Sequence, residues 1–304
     1  MKFGQVDDMN SVNFDLPVIS NKTKSILSTQ NSEVSPSFHF GAPGWSDVKF
    51  KGLLYPSKTP QKRFLEAYGK QFNSIEVNAT RYGTPKINVL DNWTSQVPES
   101  FKFSLKVPQV ITHRKNINDP EARVRTEQFL AALFHIKSYS GISFAVMANY
   151  FKVDQFSALE AFVDFWPRDQ PLAIELRHSS WFEGAVMEEW RELLHSYNVV
   201  PVVTDTPGRR DVLHMNLTND QLFVRYVGDF NHPSDLIRID AWVEKIKDLC
   251  NYGVKDVWFY AHQPGDNRER ILYFFNNMIP KINDALGVDL PLLINYQEGL
   301  DITY

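Results

Sequence analysis

The sequence predicts an α/β fold, a parallel eight-stranded TIM-type (β/α)8 barrel with an N-terminal arm. Three observations carry that expectation. Eight short β-rich runs alternate with seven longer helical patterns, the order that winds a parallel sheet. Several of those helical patterns space apolar residues by three and four. The length of 304 residues, 43% of them hydrophobic, suits one barrel of roughly 250 residues plus an appendage better than two equal domains.

Residues 1–37 are rich in Asn, Ser, Thr and Lys and keep no apolar period, so they read as an arm, partly disordered or draped over the domain. A single barrel domain with a C-terminal extension is expected over 38–304. Its strands are placed at Phe38 to Gly41, Ser74 to Asn78, Phe101 to Val107, Ile142 to Met147, Leu172 to Arg177, Val199 to Asp205, Leu222 to Val227 and Val257 to His262. Between them, helical patterns run over Gln61 to Lys70, Lys86 to Gln96, Glu121 to Lys137, Gln155 to Phe165, Ala185 to Tyr197, Asp240 to Tyr252 and Arg268 to Ile279. Thr84-Pro85 and Asp119-Pro120 read as helix starts, because proline tolerates the first turn and the preceding side chain can cap it. Thr206 to Asp220, between the sixth and seventh strands, holds no clear helix. From Gly287 onward, an apolar stretch at Leu290 to Ile294 is expected to pack as an extra segment.

Composition narrows the function classes. A formal net charge of −4 lacks the footprint of a protein that neutralises phosphates, so nucleic acid is a disfavoured partner, short of a local basic patch. The only cysteine, Cys250, excludes an internal disulfide and cysteine-rich zinc sites. No run of about 18 apolar residues occurs, and Met1 to Asp8 does not read as a signal peptide. No membrane partner and a cytoplasmic location are therefore expected.

The chemistry gathers where apolar strands end in reactive side chains, as in Glu175-Leu176-Arg177-His178-Ser179-Ser180-Trp181. Successive strand residues point to opposite faces, so Glu76 shares a face with Asn78, Ser104 with Lys106, and Glu175 with Arg177. Asp205, Arg225 and His262 fall singly at the ends of other strands. Charges at such positions need mutual pairing or a ligand to offset their desolvation. Glu76, Glu175, Asp205 and His262 are the catalytic candidates, as carboxylates or an imidazole able to move protons. Lys106, Arg177 and Arg225 would stabilise negative charge, with Asn78, His113 and His178 beside them. Trp45 and Trp181 follow strand ends and would serve as stacking plates, or else line the core edge.

The same charges can close into an internal salt-bridge network, and that alternative stays open. No His-x-Glu, His-x-His or His-Glu-x-x-His spacing marks a metal site, so no metal is assigned. Gly265 to Glu269 offers a helix N-terminus for phosphate, but Asp266 with Glu269 is also a plain capping box, the better reading.

Gly44-Trp45, Phe72-Asn73-Ser74-Ile75-Glu76-Val77-Asn78, Tyr82, Pro85, Trp93, Phe101 to Lys106, Ile111-Thr112-His113, Glu175 to Trp181, Val224-Arg225 with Gly228, and Trp242 together form a recognisable series. In order and spacing, over about residues 38 to 280, the series resembles the YecE-like family, domain of unknown function 72. The resemblance implies a TIM-type barrel with a rim pocket built from these blocks, and implies no particular reaction. Four places depart from the family pattern. Arg81 stands where Phe is usual, Val227 where a histidine often follows the arginine, and His262-Gln263 where an Asn pair is usual. Val146 to Asn149 replaces a Leu-Pro-Pro type of turn.

The leading expectation is an enzyme acting on a small polar or anionic substrate at the carboxyl ends of the strands, by carboxylate acid/base chemistry. One alternative is metal-assisted phosphodiester or nucleic-acid processing, which would need groups such as Glu76, Glu175, Asp205, His178 and His262 to converge on a divalent ion. Another is a non-catalytic small-ligand binding or interaction protein. No cofactor fingerprint is present, and the cofactor and oligomeric state stay unassigned.

Overall fold

A computed structural model describes residues 4, 6–28, 35–228, 232–263 and 270–297. Eight strands form at the predicted places: β1 Ser37–Gly41, β2 Ser74–Val77, β3 Lys102–Leu105, β4 Ser143–Val146, β5 Leu172–Glu175, β6 Val200–Asp205, β7 Gln221–Val227 and β8 Asp256–His262. Every strand pairing is parallel. The continuous eight-stranded ladder expected from the sequence is not what the hydrogen bonds make. They form a six-stranded sheet, β1-β8-β7-β6-β5-β4, and a two-stranded sheet, β2-β3.

The two breaks have local causes. Between β1 and β2, side chains stand in for the main-chain ladder: Asn73 Oδ1 accepts from Phe40 N at 3.0 Å, and Ser74 Oγ donates to Phe40 O at 3.2 Å. The chains approach so closely there that a Cβ on Gly41 would lie 2.4 Å from Ser74 O. Between β3 and β4 only isolated bridges remain, Phe103 with Ser140 and Lys106 with Phe144.

Alternation divides the strands between two apolar regions. Ile142, Phe144, Val146, Ala173, Val200, Val202, Phe223, Trp258 and Tyr260 pack together on one face of the large sheet. The intervening Ala145, Ile174, Val203, Val224 and Phe259 join the larger core beneath the helices. Burial on both faces explains why these strands read as unbroken apolar runs.

The helices are α1 Asn21–Ser28, α2 Phe64–Tyr68, α3 Ile87–Thr94, α4 Gln109–Thr112, α5 Pro120–His135, α6 Phe156–Phe165, α7 Val186–Ser196, α8 Ser234–Tyr252 and α9 Ile271–Leu286. Asp119 caps α5 as expected, its Oδ1 accepting from Ala122 N at 2.8 Å, with Pro120 in the first turn. Thr84-Pro85 does not open α3. That helix starts two residues later behind Lys86, whose extended backbone forms the cap. Residues Thr206 to Asp220 hold no α-helix, only the 3-10 segment Pro207–Val212 before an extended return. Gly265 to Glu269 lie outside the described residues. Among the described residues, no helix is long and apolar enough to cross a membrane.

Both terminal segments lie on this frame. In the arm, Thr23 Oγ1 accepts from Leu217 N at 3.2 Å, Lys245 Nζ donates to Pro17 O at 3.0 Å, and the Phe14 ring packs under the guanidinium of Arg238 at 5.0 Å. The C-terminal stretch is held by amide side chains, each of which exchanges two hydrogen bonds with one backbone residue. Asn276 clamps Leu293, Asn283 clamps Leu290 and Gln71 clamps Ile294, at 2.8–3.0 Å.

Candidate functional site

The face that carries Phe144, Phe223 and Tyr260 ends in the polar residues the alternation selected. One residue pair further along each strand come Glu76, Lys106, Glu175, Arg225 and His262, with Asn78 and Arg177 two beyond. Arg225 on β7 is the hub. Its Nε and Nη2 donate to both oxygens of Glu76 at 2.9 and 2.8 Å, and its Nη1 donates to Glu175 Oε2. A single guanidinium thus ties β2 of the small sheet to β5 and β7 of the large one. Arg177 Nε donates to the other oxygen of Glu175 at 2.5 Å. Asn78 Nδ2 donates to Glu76 Oε1 at 2.7 Å, and His262 Nε2 lies 3.0 Å from Glu76 Oε2.

Both carboxylates are fully buried, which by itself would favour their neutral forms. The arginines reverse that preference. Burial acts upward on Glu175, but Arg177 and then Arg225 bring it down to about 2. On Glu76, burial is likewise overcome by Arg225 and then His262, and the carboxyl is held well below its usual range. Each is therefore an ionised anchor for a guanidinium at neutral pH, a different condition from that of a proton-carrying acid.

Lys106 stands apart from this pairing. Two carboxylates are matched by two arginines, and among the described residues the Lys106 ammonium has neither a hydrogen bond nor an ion pair; its Nζ lies over the Phe144 ring, 5.9 Å from the centroid. The Arg225 guanidinium lies over the same ring at 5.3 Å. Desolvation first, and the positive field of Arg225 second, bring the ammonium down to about 7, against the pull of Glu175 and Glu76. His113, at the end of α4, is lowered by burial and then by the charges of Lys106, Arg81 and Arg177. His113 and Lys106 thus both feel the positive charge of Arg177.

Asp205 does not join the cluster. The inward residues of β6 are Val200, Val202 and Thr204, so Asp205 has the opposite parity and points back among the helices. There it is fully buried and accepts from Trp242 Nε1 at 2.7 Å, from Arg238 at 2.9 and 3.3 Å, and from Arg210. Asp235 extends the network, 3.6 Å from Arg238, accepting from Tyr226 OH at 2.7 Å and Gln263 Nε2 at 3.0 Å.

The loop residues are divided as well. Trp181 is fully buried, stacks on Phe151 and donates through Nε1 to Phe151 O at 2.7 Å, so it is a core residue and not a stacking plate at the rim. His178 caps a 3-10 turn, its Nδ1 accepting from Ser180 N at 3.2 Å. Trp45 packs edge-on against Trp93, with ring centroids 5.3 Å apart. The alternation did not single out Phe144, although it lies two residues before Val146 and so had the right parity. Asp235 and Arg238, in the first turns of α8, carried no sequence signal for their burial.

A solved DUF72 family protein from Thermotoga maritima superimposes with a TM-score of 0.65 at 21% identity, covering 83% of this chain and all of that one. One from Enterococcus faecalis gives the same score at 16% identity, covering 84% of this chain and 98% of that one. These likenesses speak to the fold. The UPF0759 protein YecE of Escherichia coli is 25% identical over 227 residues, 68% of this chain and 80% of that protein. The UPF0759 protein YunF of Bacillus subtilis is 25% identical over 175 residues, 56% and 61% respectively. The family model described as protein of unknown function DUF72 matches residues 39–279, most of the sequence, and the chain therefore belongs to the DUF72 family.

Proposed function

We propose that the strand-end cluster recognises a small anionic molecule, with Lys106 as the group that meets it and moves its proton, and that the eight strands act together as a barrel around it. The observation that carries this reading is the charge inventory: Glu76 and Glu175 are each satisfied by arginine, and among the described residues Lys106 has no ion-pair partner. A half-desolvated cation beside two guanidinium groups is stabilised when an anion arrives. Arg177 and His113 flank the approach. His262, on Glu76, is the second acid/base candidate.

Glu76 and Glu175 take a different part from the one the sequence suggested. In this reading they hold Arg225 and Arg177 in place and stay ionised, while Lys106, poised at about 7, changes its proton near neutral pH. Binding without turnover is the second reading, favoured by the complete saturation of both carboxylates by donors.

Calorimetric titration with inorganic phosphate and with small carboxylates tests the proposal. The wild type is expected to take up one equivalent, and Lys106→Met to lose that uptake while keeping its circular dichroism. A folded wild type that binds none of these anions would overturn the reading.

A further inference from the structure

We propose that Lys106 is a covalent amine, forming an imine with small aldehydes or ketones that carry a carboxylate or a phosphate. This rests on the anion-recognition reading above and names its substrate class. An amine serves as a nucleophile when its lone pair is free, it can be reached, and its surroundings disfavour the ammonium. Lys106 meets these conditions by position. It lies at the end of β3, half-buried, with an aromatic ring beneath it and the permanent cations Arg225 and Arg177 close by.

Three other lysines illustrate the contrast. Lys102 Nζ donates to Ser138 O at 2.6 Å, Lys245 to Pro17 O at 3.0 Å, and Lys255 pairs with Asp220 at 3.3 Å. The charged and titratable groups that act on Lys106 are Arg225 from β7, Glu175 from β5 with Arg177 just beyond it, Glu76 from β2 and His113 from α4. With positive and negative charges opposed, burial is the largest influence and brings the ammonium down to about 7, while the Arg225 guanidinium shares the Phe144 ring with Lys106 and, with Arg177, is placed to hold the substrate's anionic end.

In the step itself, the Nζ lone pair forms a C–N bond to the carbonyl carbon as the carbonyl π pair moves to oxygen. One Nζ proton passes to that oxygen, giving a carbinolamine. The hydroxyl then takes a second proton from solvent and leaves as water, and the nitrogen lone pair forms the C=N bond of the iminium. No oxidant or reductant is consumed. The iminium is an electron sink, suited to proton abstraction or carbon–carbon cleavage at the adjacent carbon.

Trapping tests this directly. The full chain is incubated with sodium cyanoborohydride and pyruvate, or with dihydroxyacetone phosphate, and then mapped by peptide mass spectrometry. Saturable labelling concentrated at Lys106 is expected, slowed by inorganic phosphate and absent in Lys106→Met. In the wild type, its rate should reach half its maximum near pH 7, where surface lysines need a pH of about 10. Preference between the two probes distinguishes a carboxylate from a phosphate substrate. Labelling scattered over surface lysines, with phosphate still bound, would overturn the imine and leave the anion site standing. Failure of both labelling and anion uptake would overturn both proposals.

Discussion

At the scale of single residues, Arg225 and Lys106 divide, in the proposed reading, the labour that the sequence assigned to carboxylates. Arg225 neutralises two buried carboxylates at once, so Arg225→Met would take the bidentate partner from Glu76 and leave Glu175 with Arg177 alone. The expected loss is about 3–5 kcal/mol of unfolding free energy, read from urea denaturation. The pH dependence follows from the directions of the shifts. Glu76 and Glu175 have folded values below their unfolded ones, so their contribution is complete above about pH 4.5 and is lost as pH falls towards 2. Lys106 also has a folded value below its unfolded one, but it is a cation. Between about pH 7 and 10.5 the unfolded chain holds the extra proton, and stability rises with pH across that window. Lys106→Met removes the cost of burying the ammonium, so its gain in stability is largest below pH 7 and fades as pH rises. Greater stability with lost binding is the usual mark of a residue kept for function.

At the scale of elements, strand parity decided which polar residues meet. It put Glu76 with Asn78 and Glu175 with Arg177 on one face, because polar residues two apart in an extended run share a side, and Lys106, Arg225 and His262 fall on that side too. It misplaced Asp205, a single polar residue in a strand buried on both faces, with no partner two residues away to mark its side. The Asp205 network instead ties β6 to α8 and, through Arg210 and Arg238, to Phe14 of the arm. Asp205→Asn is expected to destabilise the fold by about 3 kcal/mol, because Arg238 is fully buried and loses its main counter-charge. Phosphate uptake should persist in that variant. Loss of uptake with unchanged stability would move Asp205 back into the site. The start of α8 at Ser234 and the amide clamps of the C-terminal stretch were not legible, because both depend on partners far away in sequence.

At the scale of the whole molecule, eight parallel strands and the helices between them were legible from the order of apolar runs. The break between β1 and β2 was not, because it arises where Asn73 and Ser74 substitute side-chain bonds for main-chain ones. Arg225 spans the division by holding Glu76 of one sheet and Glu175 of the other, so the frame and the site share the same ion pairs. In the proposed reading, that arrangement leaves Lys106 to meet the ligand. The most direct measurement is an NMR titration of the full chain carrying ¹³C-labelled lysine, with and without inorganic phosphate. One lysine, assigned by Lys106→Met, is expected to titrate near 7 in the free protein and to shift upward when phosphate is present. If every lysine titrates near 10.4 and none responds to the anion, the central claim is contradicted.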